Sequence, residues 1–140
     1  MKSARRYSRE FALRALYQWQ LSGATAAEIE TQLSEDDRFP RADRELFAQI
    51  VNGVIVRAEE LKGVIAPALD RKIEELAPIE RAILLIGTYE LVHCPETPYK
   101  VIVNEAIELA KVYGGTDGHK YVNAVLDKLA RQLRASEKRG

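Results

Sequence analysis

Apolar residues recur along most of the chain at spacings of three and four, the period of a helix that buries one face. Caps, glycines and prolines cut that pattern into about seven segments. The first runs from about Ala4 to Leu21 and stops at Ser22-Gly23, where glycine tolerates the left-handed backbone that ends a helix. Thr25 and Glu28 have capping-box spacing, so a second helix starts there. The acidic stretch Ser34 to Pro40 reads as a loop, after which Asp43 can cap a helix with Leu46, Phe47, Ile50, Val54 and Ile55 on one side. Leu61, Ile65 and Leu69 keep the helical period from Ala58 onward, and Pro67 should break it. Pro78 suits the first position of a further helix and Glu80 its positive end. That helix contains AILLIGTYELV, Ala82 to Val92, which is apolar on nearly every side and belongs at the centre of a core. Runs as short as this one and Val101 to Val103 also fit strands. Helix is the preferred reading, because Thr97-Pro98 supplies an N-cap and a first-turn proline and the spacing continues through Tyr113 to Gly114-Gly115. The last helix spans about Asp117 to Leu133, with Val122, Val125, Leu126, Leu129 and Leu133 as its stripe. The predicted fold class is all-α, a bundle of about seven helices.

Composition agrees with a globular bundle. Hydrophobic residues make up 46% and charged residues 30% of the 140, and a chain of this length buries roughly two-thirds of its unfolded surface. The single Cys94 can form no internal disulfide, and Arg9, Glu10 and Arg14 interrupt any apolar segment of a secretion signal. No apolar run approaches the ~20 residues of a membrane span. The expected compartment is the cytoplasm.

Charge changes the picture more. The formal net charge is zero, yet residues 1–20 carry five basic and one acidic residue, residues 128–140 again five and one, and the stretch between eleven and nineteen. Basic ends on a neutral chain still create local fields that act within a Debye length of about 8 to 10 Å. Familiar catalytic motifs are missing: there is no G-x-G-x-x-G, Walker loop, G-x-S-x-G or H-E-x-x-H. His93 and His119 have no ligand-spaced partner for a metal, and His93 reads as a helix-end residue facing the dipole. Glu105 and Glu108 lack the Glu-x-x-His partner of a di-iron bundle and read as a solvated face. No metal and no cofactor is expected, and non-covalent binding rather than enzymatic chemistry is the default.

Drawn on a wheel at 100° per residue, the first helix collects Ala4, Ser8, Phe11, Ala12, Ala15, Leu16 and Trp19 on a core face. Arg6, Arg9, Leu13, Tyr17 and Gln20 form a second stripe. Guanidinium forks on phosphates beside a stacking ring suit single-stranded RNA. Arginines that merely solvate a helix, with Tyr17 bordering the core, fit the same pattern.

The segments ARRYSREFALRALYQWQ, PIERAILLIGTYEL and PYKVIVNEAIELAKVYGGTDGHKYVNAVLDKL together resemble the NusB family of bacterial transcription antitermination factors, from the Arg-rich start to about Leu133. The resemblance implies two small packed helical subdomains, here an N-terminal half over about residues 1–57 and a C-terminal half over about 58–135. It implies binding of boxA RNA from ribosomal operons or phage, jointly with the small-subunit ribosomal protein that doubles as NusE. The pair then helps RNA polymerase pass terminators and assists ribosomal RNA maturation. Its RNA-contacting residues fall on Lys2, Arg5, Arg6, Arg9 and Tyr17, and on Tyr113, Asp117 and Tyr121, with Glu80 at a position for the protein partner.

This chain departs from the family pattern at Gly118, where Ser is common, at Tyr121, where Phe is common, and at Ala124, where a Gly is familiar. The last leaves local packing open. Plainer roles remain for several positions: Tyr113 can close its helix end, Asp117 can cap the last helix, and Lys128, Arg131, Arg134, Lys138 and Arg139 can be a solvated end and frayed tail. Two other functions compete. One is an RNA-binding accessory to an rRNA methyltransferase, which would have to act in trans because 140 residues leave no room for a cofactor-binding domain. The other is a helical adaptor that holds a protein through its acidic middle and never touches RNA.

Overall fold

A computed structural model describes residues 2–139, with the side chains of Lys138 and Arg139 outside the described part. Among the described residues there are eight α-helices and no strand. They fall into two compact units, Met1–Val56 and Arg57–Gly140.

The first unit is built from α1 (Ala4–Ser22), α2 (Ala26–Leu33) and α3 (Arg44–Val56). Gly23 closes α1 in the left-handed region at φ 70°, and the Thr25–Glu28 capping box opens α2, as the spacing predicts. The predicted acidic loop winds into a short 3-10 turn at Phe39–Arg41 that drives Phe39 inward. Phe39 meets Phe11 and Phe47 edge-on, with ring centroids 5.1 and 5.2 Å away, the arrangement aromatic quadrupoles favour. Asp43 Oδ1 accepts the Leu46 N–H at 3.1 Å and starts α3. The buried Ser8 hydroxyl lies 2.6 Å from the Asp43 carbonyl, and the Asp43 N–H donates to the Ala4 carbonyl at 3.2 Å, so the first turns of α1 and α3 are tied together.

The second unit contains α4 (Ala58–Ile65), α5 (Pro78–His93), α6 (Tyr99–Tyr113), α7 (Gly118–Leu133) and the short α8 (Ala135–Arg139). Pro67 ends α4, and the chain continues in a 3-10 turn at Ala66–Ala68. Every residue of α5 from Ala82 to Leu91 is buried, and α4, α6 and α7 pack on this helix. At Gly87 a Cβ would lie 2.8 Å from a Leu126 methyl, so glycine lets α7 press directly onto the α5 backbone. Ala124 is exposed, which removes the packing question raised by its missing glycine.

Three expectations need correction. Thr97 does not cap α6: Pro98 occupies the cap position, and the first free amide, Tyr99 N–H, donates to Glu137 Oε1 at 2.7 Å. Asp117 does not cap α7, because its backbone is left-handed at φ 62° and its carboxylate accepts no amide there. Arg134 is no part of a solvated tail. It is 7% exposed, and its guanidinium donates to the carbonyls of Glu90, Leu91, Cys94 and Thr97 at 2.9 to 3.2 Å and pairs with Glu137 at 2.6 Å. His93 ends α5 as predicted, with Nε2 3.3 Å from Glu60.

Candidate nucleic-acid interface

On the first unit the candidate residues stand at the start and along the flank of α1. Ser3 caps the helix by accepting the Arg6 N–H at 3.1 Å, which fixes where the arginines project. Lys2 pairs with Glu10 at 3.0 Å and lies 5.3 Å from the Tyr7 ring centroid. Arg5 is exposed, and among the described residues no carboxylate pairs with it. Arg6 is half-buried, and Tyr17 is 37% exposed. These three cations and the Tyr17 ring can meet a ligand from solution.

Arg9 cannot do so in this conformation, because it is 2% exposed, and Leu13 beside it is 1% exposed. The wheel assumes a helix covered on one side. Six consecutive residues from Ser8 to Leu13 are buried, which is more than a full turn, so α1 is enclosed all round at that level. Trp19 errs in the other direction, being half-buried rather than core. Arg14 pairs with Asp36 at 3.0 Å and lies over the Phe11 ring. Arg38 with its backbone N–H, together with Arg14, holds the Asp36 carboxyl well below the ordinary carboxylate range.

Sequence reading missed Tyr7 and Arg41. The Arg41 guanidinium donates to the Tyr7 hydroxyl at 3.4 Å, adding an exposed cation that pairs with no carboxylate among the described residues. Thirty-four positions separate the two, so no helical spacing could announce the pair.

On the second unit, Tyr113 is 38% exposed at the end of α6. Asp117 is exposed and pairs with Lys120 at 3.3 Å. Tyr121 is half-buried in a small cluster: its hydroxyl donates to Asp70 at 3.0 Å, Arg71 lies 5.1 Å over its ring, and Arg71 pairs with Asp70 at 2.8 Å. The Arg71 hydrogen bonds and the Tyr121 hydroxyl hold the Asp70 carboxyl down to about 2, while partial burial and the Asp70 bond push the Tyr121 hydroxyl up. Arg71 is a third residue that sequence reading passed over. Glu80 is half-buried in the first turn of α5, and its Oε1 accepts the Gly115 N–H at 3.0 Å, so its carboxylate faces the loop that separates Tyr113 from Asp117. Among the described residues no group of three or more His, Cys, Asp or Glu could hold a metal ion, and no helix is long and apolar enough to cross a membrane.

Exposed cations and rings of this kind can hold a polyanion with aromatic faces. Comparison with known proteins gives the arrangement a family. A sequence profile of the NusB family matches residues 6–131. The chain is 56% identical over 136 residues to a transcription antitermination protein NusB from Nitrosomonas eutropha, covering 97% of this chain and 81% of that protein. It is 57% identical to one from Burkholderia lata, covering 97% and 94%. Among solved structures, T. maritima NusB superposes with a TM-score of 0.84 at 25% identity over all of both chains. A complex of the antitermination factors NusB and NusE with double-stranded RNA gives 0.81 at 25% identity, covering 94% of this chain and 99% of that one. The chain belongs to the NusB family.

Proposed function

We infer that this chain is an RNA-binding transcription antitermination factor that binds boxA RNA of ribosomal operons together with the ribosomal protein NusE. The pair helps RNA polymerase read through terminators. The observation that carries this reading is the identity of 56 to 57% with antitermination proteins over nearly the whole chain. It acts by binding, without covalent chemistry, and works in the cytoplasm where transcripts emerge. Lys2, Arg5, Arg6 and Tyr17 on the first unit, and Tyr113, Asp117 and Tyr121 on the second, are its RNA contacts, with the exposed Arg41 beside them. Exposed rings favour unpaired bases, since every base has a face to stack and a duplex hides it. Filter-binding titrations with boxA RNA, a scrambled RNA and a boxA duplex, each with and without NusE, test the reading. Tightest binding to single-stranded boxA in the presence of NusE is expected. Equal binding to all three would refute boxA recognition, and no binding to any would leave only a protein adaptor.

A further inference from the structure

The segment from Gly114 to Gly118, which joins α6 to the first residue of α7, follows Tyr113 and contains Asp117, both assigned above to RNA. Three of its five residues are glycines, and all three border the same oxygen, although a Cβ on Gly114 would first meet the Ala110 carbonyl oxygen at 2.7 Å. A Cβ built on Gly114 would lie 3.3 Å from Glu80 Oε1, one on Gly115 3.7 Å and one on Gly118 2.8 Å, while the Gly115 N–H donates to that same oxygen at 3.0 Å. The Gly118 contact is closer than side-chain carbons approach an oxygen, so a Cβ there would make the Glu80 carboxylate leave its present seat. Glu80 itself is fixed at its root: it sits in the first turn of α5, directly after Pro78 and Ile79, on a helix buried from Ala82 to Leu91. The loop backbone is thus hung on a rigid helix by one carboxylate. Asp117 stands in the left-handed region at φ 62°, a conformation that costs a non-glycine residue energy and persists only where its surroundings hold it.

We propose that Glu80 is a positioning residue for RNA binding: its carboxylate, seated among Gly114, Gly115 and Gly118, sets the loop conformation that presents Tyr113 and Asp117. The inference rests on the proposed function for its RNA half and on geometry alone for its loop half. It gives Glu80 a different task from contact with the protein partner. It also explains the departure at Gly118. A serine Cβ there would press on Oε1, so this chain's glycine and the observed seat of Glu80 go together.

The test uses the full chain carrying Glu80→Ala, Glu80→Gln and Gly118→Ala, with amide hydrogen exchange at Gly115, boxA titration and NusE titration as readouts. Glu80→Ala should speed exchange at Gly115 and weaken boxA binding by about five- to tenfold, with NusE affinity unchanged. Glu80→Gln keeps a carbonyl oxygen for the Gly115 N–H and should bind RNA within about twofold of the parent. Gly118→Ala, which displaces the carboxylate from the other side, should resemble Glu80→Ala. A purely structural role would speed exchange and leave RNA affinity alone, and that result would overturn the proposal. So would unchanged exchange in Glu80→Ala, or a loss confined to NusE binding. If the parent binds no boxA RNA, the functional reading fails, and the proposal falls with it at the RNA step while the Gly115 exchange still decides the loop contact.

Discussion

One hydroxyl separates Tyr121 from the phenylalanine common at this place in the family, and the structure shows where it goes: to Asp70, which Arg71 also holds. Tyr121→Phe keeps the ring and the Arg71 contact, so boxA affinity should stay within about twofold. The Asp70 carboxyl, followed by NMR titration, should rise from about 2 toward its ordinary 3.8 without passing it, because Arg71 remains. The folded value lies below the unfolded one, so the ionised carboxylate stabilises the fold above about pH 4 and that contribution is lost as pH falls through about 2. Acid melts of Tyr121→Phe should therefore converge on those of the parent below about pH 2 and differ most near neutrality. Arg9 gives the opposite kind of prediction. As a buried cation whose partners would be stranded, Arg9→Ala should cost about 1 to 3 kcal/mol of stability, read by urea unfolding. Exposed Arg5→Ala should leave stability within about 0.5 kcal/mol. The wheel gives both arginines the same helical residue type and separates them only by angle. It cannot see that α1 is covered on all sides at one level and open at another.

Helix starts and stops were legible wherever the signal lies within four residues of the end, as at Gly23, Thr25, Asp43, Pro67 and Pro78. The start of α6 was not, because its amide is met by Glu137, thirty-eight positions away. Arg134 was misread for the same reason. A basic residue after the last apolar turn has the pattern of a solvated tail, and nothing local reveals four carbonyls waiting 37 to 44 positions upstream. These carbonyls belong to the last turn of α5, where a helix runs out of its own amide donors, and to the connection into α6; those of Glu90 and Cys94 also accept the N–H groups of Cys94 and Thr97. One guanidinium satisfies them and brings Glu137 to the start of α6. Arg134→Ala should destabilise the protein by about 3 kcal/mol, since the Leu91 and Thr97 carbonyls lose the guanidinium donor, those of Glu90 and Cys94 lose one of two, and Glu137 loses its partner. Arg134→Lys should recover little of that loss, because an ammonium cannot span the same fork of carbonyls. Thermal unfolding reads both, and in the alanine variant exchange at the Tyr99 amide should quicken along with the melt.

Across the whole chain, charge cancels within each unit as well as overall: eight basic and eight acidic residues up to Val56, thirteen and thirteen from Arg57 on. Net charge does not then draw RNA to either unit, and the salt-dependent part of the affinity must come from cations left without a carboxylate. On the first unit Lys2, Arg14, Arg38 and Arg44 are paired, to Glu10, Asp36, Asp36 and Glu30, while among the described residues Arg5 and Arg41 meet no carboxylate. A paired cation that moves to a phosphate gives up one anion for another and gains little, whereas an unpaired one adds its full counterion release. For single strands the slope of log affinity against log salt changes by about 0.7 for each phosphate that the protein no longer neutralises. Arg5→Ala and Arg41→Ala should each reduce the slope by about 0.7, and together by about 1.4 if the two touch different phosphates. Lys2→Ala should change it less. Tyr17→Ala should weaken binding by about 1 to 3 kcal/mol at an unchanged slope, because a stacked ring releases no counterion. Titrations of boxA across a range of potassium chloride concentrations separate the two kinds of loss. A slope that falls in Tyr17→Ala and holds in Arg5→Ala would mean that the cations near the start of α1 serve the fold and that RNA meets this unit elsewhere.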